Sequence, residues 1–231
     1  MCAGLAGGLA ACGEEDPDAG TNGVGKLTPA KIQARTVTAA RGADAVHLDG
    51  TVVVNKKTYK LDMRLKADGG SGSVSTDGDT FRLLRVGDHL YLKADAGFWT
   101  HSEDGKGGHG AGDAAQKLDG KYVKVPKGDP AYQRLSTFTD KGVLLDGLLS
   151  LHGTLAKGER GTAGGVRTIA LTGSKGAGGT LDVSLEGSAY PMRLERAGGA
   201  GTIRLTDWGK DFPLTEPKST ETVDYGQSLP N

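Results

Sequence analysis

Tyr59-Lys60-Leu61-Asp62-Met63-Arg64-Leu65-Lys66 alternates apolar and charged side chains over eight consecutive residues. Because a strand places successive side chains on opposite faces, this stretch has one apolar face and one charged face. Such a strand is typical of an antiparallel sheet that is covered on one side and solvated on the other. The stretch therefore predicts that the fold is built on a half-buried antiparallel sheet.

The same alternation recurs on both sides of this stretch. Clusters of Gly and Asp separate the runs at the spacing of a meander, as at Asp68-Gly69-Gly70 and Gly87-Asp88. The further predicted strands are 46–54, 80–86, 89–93, 121–126, 166–172, 180–186, 192–195 and 202–205.

Two helices interrupt the strands. The first is predicted over 29–41, with Thr28 as N-cap, Pro29 at the first position and Gly42 at its end. The second follows the N-cap Asp129, and Gly142 or Asp146-Gly147 could divide it. Its apolar stripe has the spacing of a core-facing helix and consists of Ala131, Leu135, Phe138, Gly142, Leu145 and Leu149. The order of elements predicts an α+β fold, a curved and mostly antiparallel sheet wrapped around a few α-helices.

The charge balance excludes several function classes. The 231 residues contain 28 Lys plus Arg and 28 Asp plus Glu, so the formal net charge is zero. A neutral chain lacks the overall positive potential that binds nucleic acid or anionic membranes. No apolar run approaches the roughly 20 residues that a membrane-spanning helix requires.

The first thirteen residues contain both cysteines, Cys2 and Cys12, so a disulfide framework is excluded. The uncharged stretch 1–11 ends in Leu9-Ala10-Ala11-Cys12-Gly13, which resembles a lipobox, the processing signal of bacterial lipoproteins. The resemblance implies that Cys12 becomes the acylated N-terminus, anchored to the outer face of the bacterial cytoplasmic membrane. Because the charged region that begins a secretory signal is missing, we expect the true start to lie upstream.

Composition divides the rest of the chain. Residues 13–26 are polar and acidic, with Val24 as the one apolar anchor, so 12–26 is predicted to be the lipidated cysteine and a flexible tether. The α+β domain is predicted over 27–217. Residues 218–231 are predicted to form an extended polar tail.

No motif for catalysis or metal binding is convincing. Residues 105–110 match G-x-G-x-x-G, but no strand leads into them, and a polar loop is favoured over a nucleotide site. The five histidines are scattered and lack a core cysteine to complete a zinc site, although two of them flank Glu103 and Asp104 and could bind a metal weakly. These histidines are His47, His89, His101, His109 and His152. Carboxylates such as Asp62, Asp182 and Glu186 lie on solvated strand faces. We therefore predict no enzyme activity, no cofactor, no metal and no nucleic-acid partner.

The order of several short motifs resembles the LppX/LprA/LprF/LprG family of envelope lipoproteins, relatives of the LolA/LolB lipoprotein carriers. The motifs are Asp88-His89-Leu90-Tyr91-Leu92-Lys93, Gly97-Phe98-Trp99, Gly120-Lys121-Tyr122-Val123-Lys124-Val125-Pro126, Tyr190-Pro191-Met192-Arg193-Leu194 and Leu205-Thr206-Asp207-Trp208-Gly209. The resemblance implies a half-barrel whose apolar cavity, between sheet and helices, holds the acyl chains of lipids or lipoglycans.

The cavity would be lined by the apolar faces of the strands and of the second helix. Ordinary core packing is at least as good an explanation for each of these residues, because periodicity identifies an inward face and not whether it is filled. The candidates are Leu61, Met63, Leu65, Phe81, Leu83, Leu135, Phe138, Leu145, Leu149, Leu181, Val183 and Leu185. Two hypotheses follow: an anchored carrier of a hydrophobic ligand, or an anchored interaction or sensor domain with a closed core and an envelope protein partner.

Overall fold

The computed structural model describes residues 16–76, 78–101 and 111–224. Within these ranges, twelve strands form one open, curved sheet with the order β12-β6-β5-β4-β3-β2-β1-β11-β10-β9-β8-β7. All neighbours are antiparallel except β12 and β6. The strands are β1 (Ala45–Val54), β2 (Lys57–Lys66), β3 (Gly69–Thr76), β4 (Asp79–Val86), β5 (His89–Ala94), β6 (Tyr122–Val125), β7 (Leu155–Ala163), β8 (Val166–Gly173), β9 (Thr180–Ser184), β10 (Pro191–Glu195), β11 (Thr202–Thr206) and β12 (Thr222–Asp224).

The alternating stretch forms most of β2 and has the expected two faces. Leu61, Met63 and Leu65 are buried, whereas the side chains between them point to the outer face. In register, Met63 lies opposite Leu48 of β1 and Gly72 of β3. All nine predicted strands are present with ends within two residues of those expected, and the α+β fold class is confirmed.

In the described part of the chain, five α-helices accompany the sheet: α1 (Pro29–Gly42), α2 (Ala96–His101), α3 (Ala111–Leu118), α4 (Pro130–Ser136) and α5 (Lys141–Leu148). The first begins after Thr28 with Pro29 at its first position, as the sequence predicts. The region 130–149 contains two helices, divided before Gly142 rather than at it. Asp129 caps α4 by accepting from the Ala131 amide, and Asp140 caps α5 by accepting from the Val143 amide.

Residues 16–26 differ from the flexible tether that their composition predicts. Val24 is fully buried in the hydrophobic core and begins a short 3-10 turn over Val24–Lys26. Asn22 donates its backbone amide to the Leu185 carbonyl at 2.8 Å. A polar segment can be fixed in this way because one buried valine and paired backbone groups outweigh its low hydrophobicity. The packed domain therefore includes residues N-terminal to 27.

Three strands, β3, β7 and β12, lie outside the predicted strands. β3 has the sequence GGSGSVST, whose Gly and Ser residues hide its alternation, and Gly69 begins this strand rather than only a turn. At the other end, part of the predicted polar tail forms β12, in which Thr222 pairs with Tyr122 of β6. β7 has the sequence LAKGERGTA, which likewise lacks a clear alternation. All three strands form because their backbone groups pair with a neighbouring strand, a contribution that the pattern of side chains does not reveal.

Candidate functional site: the interface between sheet and helices

The twelve side chains proposed to line a cavity come together in one hydrophobic cluster between the sheet and the helices. Ten are buried, and Leu135 and Phe138 are partly buried and packed against the others. Sequence periodicity thus identifies the inward face of both layers. The cluster also includes residues that the sequence analysis did not single out, among them Ile32 of α1 and Val123 of β6.

Side chains fill the middle of this interface. Gly72 shows how closely they pack, because a Cβ atom built on it would lie 2.0 Å from the Asp62 carbonyl oxygen and 2.7 Å from the sulfur of Met63. Only glycine fits there, and Met63 covers the space that a larger side chain would need. In register, Gly72 lies between Met63 and Leu83. The inner face of the sheet is therefore tightly packed at this position.

The cavities among the described residues lie at the margins of the cluster. One, with a volume of about 50 Å³, lies at the rim where Leu148 and His152 meet Gly178 and Glu195. Another, of about 360 Å³, is a depression on the outer face of the sheet, and Leu83 is the one candidate residue that contributes to its lining. Neither is an enclosed apolar space for an acyl chain. The interface is closed by side chains in this structure.

The helices that pack on the sheet are not all buried to the same depth. α1 buries Ile32, Thr36 and Ala40, and α5 buries Leu145 and Leu148. In contrast, α4 contains no buried residue. Its apolar side chains, Ala131, Tyr132 and Leu135, only partly contact the cluster. Displacement of α4 therefore exposes less buried apolar area than displacement of α1 or α5.

Polar contacts fix α1 and α5 to each other and to the sheet. The Lys141 ammonium, at the start of α5, donates to the Arg41 carbonyl at 3.0 Å and to the Ala43 carbonyl, at the end of α1. Burial lowers the pKa of Lys141 from its ordinary value. From β4, Arg85 donates to the Thr139 carbonyl at 2.9 Å and to its hydroxyl at 3.2 Å. These contacts therefore hold α1, α5 and the sheet together directly after α4, at the 137–140 connection.

Two polar atoms on α1 lack a hydrogen-bond partner within the described part of the chain. Thr36 is fully buried and its Oγ1 is unpaired. Gln33, one helical turn earlier, donates Nε2 to the Leu149 carbonyl at 2.7 Å, but its buried Oε1 is also unpaired. Buried polar groups are normally paired, and an unpaired one has a free-energy cost of roughly 1–3 kcal/mol. These two atoms are the polar groups available to a molecule that enters beside α1.

Several predicted features fall outside the described residues. These are the lipidation site Cys12, the Gly-rich motif 105–110, and His109 with Glu103 and Asp104. Across the ranges that the structure describes, no three metal-ligating side chains gather into a candidate metal site. The described helices include none with the length and hydrophobicity to cross a membrane.

A scan against protein-family models and a search of curated proteins give no match. Solved structures do match. LprF from Mycobacterium bovis has a TM-score of 0.54 at 15% sequence identity, and the match covers 82% of this chain and 96% of LprF. An uncharacterized conserved protein from Thermus thermophilus has a TM-score of 0.38 at 10% identity, covering 84% of this chain and 98% of that one.

At 15% identity, the likeness to LprF concerns the fold. That fold extends over nearly the whole of LprF and over the part of this chain that contains both the sheet and the covering helices. The resemblance inferred from the order of short sequence motifs is therefore confirmed at the level of architecture. The chain has the LppX/LprF-type fold, an open curved sheet that wraps around helices.

Proposed function

We propose that this protein is a membrane-anchored lipoprotein that binds or carries a hydrophobic lipid or glycolipid between its sheet and its helices. The observation that carries the proposal is the shallow helix α4, which has no buried residue and yet lies over a continuous apolar cluster. The LppX/LprF-type fold supports it, because this architecture places helices across the concave face of the sheet.

Binding requires the closed interface to open. Displacement of α4 separates its partly buried side chains, including Leu135 and Tyr132, from the cluster, while α1 and α5 remain joined through Lys141. A ligand that buries ten methylenes gains about 8 kcal/mol before entropic costs, at roughly 0.8 kcal/mol per methylene. This gain offsets the loss of the shallow α4 contacts. The unpaired hydroxyl of Thr36 would donate a hydrogen bond to a polar group of the ligand or accept one from it, and Oε1 of Gln33 would accept one.

Anchoring is the second part of the proposal. Acylation at Cys12 would hold the domain on the outer face of the cytoplasmic membrane, and more than one acyl chain is needed for stable attachment. We expect Cys12→Ala to move the protein from the membrane fraction to the soluble fraction. Retention of this variant in the membrane fraction would contradict acylation at Cys12.

Native mass spectrometry tests ligand binding. The exported Cys12→Ala chain is analysed directly and after addition of phospholipid or glycolipid, and any adduct is extracted into organic solvent and identified. We expect a discrete lipid adduct. Leu135→Asp should abolish it, because a carboxylate on the inner face of α4 opposes an apolar ligand. Val143→Asp is the matched control, because Val143 on α5 is 54% exposed. A Leu135→Asp protein that is folded by circular dichroism and retains the adduct would contradict the site.

The closed interface also favours a second candidate function, an anchored interaction domain with a permanently packed core. Its binding surface would lie outside the cluster. Among the described residues the large hydrophobic side chains with high exposure are Val54 and Val143, on β1 and α5. A chain that remains free of adduct after addition of both lipid classes would favour this function over ligand carriage.

A further inference from the structure

Residues 16–26 are attached to one corner of the sheet. Asp18 forms an ion pair with Arg160 of β7 at 2.7 Å, and its side chain is 9% exposed. The Gly20 carbonyl accepts from Arg167 of β8 at 3.0 Å. Asn22 donates from Nδ2 to the carbonyls of Ser184 and Gly187, at 3.0 and 3.2 Å.

These contacts lie at one end of the strands. β7 ends at Ala163 and turns into β8, whose first residue, Val166, lies opposite Ala163. β9 ends at Ser184, opposite Thr168 near the start of β8. We name the surface formed by residues 16–22, 160–167 and 184–188 the β7–β9 corner. The other end of β8 leads to the short turn Ser174–Gly176.

The fixed segment leaves a short connection to Cys12. Four peptide units join the Cα atoms of Cys12 and Asp16, and at 3.8 Å each they span at most about 15 Å. Because Asp18 is paired with Arg160 and the Gly20 carbonyl accepts from Arg167, the reach cannot be extended without releasing these contacts. An anchor at Cys12 therefore holds Asp16, the first residue of the corner, within about 15 Å of the acylated residue.

Resting on the acylation of Cys12 in the proposed function, we propose that the β7–β9 corner is a membrane-facing surface that lies against the lipid headgroup layer. The domain is thereby held in one orientation, with the Ser174–Gly176 turn directed away from the bilayer. The occupant of this surface is the lipid headgroup layer into which the acyl chains of Cys12 insert.

The charges at the corner are paired within the protein. Arg160 pairs with Asp18, and Arg167 contacts Glu186 at 3.0 Å. Paired charges give the corner little net attraction to anionic lipid. The short connection, and not charge, sets the orientation, so it should be the same on neutral and anionic vesicles and independent of salt.

Energy transfer to the bilayer tests the orientation. Thr162→Cys, at the corner, and Ala177→Cys, beyond the other end of β8, are both exposed positions for a fluorescent label. β8 has eight residues, so the two sites are separated by roughly 23 Å along the strand, at about 3.3 Å per residue. The acylated full chain is reconstituted into phosphatidylcholine vesicles that contain a lipid-linked acceptor dye. We expect stronger transfer from the Thr162→Cys label than from the Ala177→Cys label.

An insertion provides the matched control. Twenty Gly and Ser residues placed between Glu15 and Asp16 add a flexible coil with an end-to-end distance of about 25 Å, which should remove the difference between the two labels. Equal or reversed transfer with the natural connection would overturn the orientation, even if the protein floats with the vesicles. A chain that does not float with vesicles refutes the anchor itself, so the two failures are distinguishable.

Discussion

Thr36→Val replaces a fully buried threonine with a side chain of nearly the same shape. The change removes a hydroxyl whose oxygen is unpaired among the described residues, within the apolar interface below α1. Both residues are β-branched and have similar helix propensities, so the backbone contributes little to the difference. The free energy of unfolding should therefore report the hydroxyl alone.

The expected effect is a stabilisation of about 1 kcal/mol, at the low end of the roughly 1–3 kcal/mol cost of an unpaired buried polar group. For a chain of this length, 1 kcal/mol raises Tm by about 2–4 °C. Calorimetry and urea unfolding of the Cys12→Ala chain measure both quantities. Native mass spectrometry of the same variant shows whether the hydroxyl also contributes to ligand binding.

Thr139→Val is the matched control, because Thr139 is also fully buried but its hydroxyl is paired. That hydroxyl donates to the Ser136 carbonyl at 3.0 Å and accepts from Arg85. Its removal should destabilise the protein by about 1–3 kcal/mol, since the Arg85 guanidinium loses an acceptor. Equal losses of stability in the two variants would refute the reasoning, because they would show that the Thr36 hydroxyl is also paired.

Three further predictions concern charge, titration and the N-terminal segment. Arg193→Gln leaves the carboxylate of Asp182, whose side chain is 11% exposed, without its ion pair at 2.7 Å, and should cost about 1–2 kcal/mol in urea unfolding. Arg204→Gln, at a more exposed pair, should cost less than Arg193→Gln, and equal costs would contradict the role of burial. Burial, and to a smaller extent a hydrogen bond with Glu216, raises the pKa of Tyr91 to about 12. This pKa lies above the value of 10.0 in the unfolded chain, so the free energy of unfolding should fall as the pH rises from 10 to 12. The Tyr91→Phe variant should lack this pH dependence when unfolding is measured over the same range. Val24→Ala removes two buried methyl groups and should cost about 1.5–3 kcal/mol, with faster proteolysis of residues 16–26 than in the parent chain; unchanged cleavage would show that Val24 does not hold this segment.

The sheet could be predicted from the sequence wherever one face is apolar and the other charged. β2 is the strongest case, because Leu61, Met63 and Leu65 alternate with charged residues. β3 could not be predicted in this way, since Gly70 and Gly72 occupy its inner face and have no side chain to carry the pattern. Glycine is required there because a Cβ atom on Gly70 would lie 2.5 Å from a methyl group of Leu65.

The candidate site could be predicted only in part. The inward faces follow from periodicity, and all twelve candidate residues lie in one cluster. Whether a cluster is filled depends on the separation of the layers, which periodicity does not encode. The shallow seating of α4 depends on the break between Ser136 and Lys141, where Asp140 caps a new helix. Val24 is likewise buried by strands that are distant in sequence, so the composition of residues 13–26 could not predict its burial.

The strand order has a consequence for how the chain folds. β1 to β6 and β7 to β11 are each built from neighbours in sequence, and the two groups are joined through β1 and β11. At this junction Leu48 lies opposite Leu205, so the loop that closes it is more than 150 residues long. Formation of long-range pairs is the slow step in β-rich proteins. Each half can therefore assemble from local hairpins, and closure of the β1–β11 pair is the step that joins them and limits the folding rate.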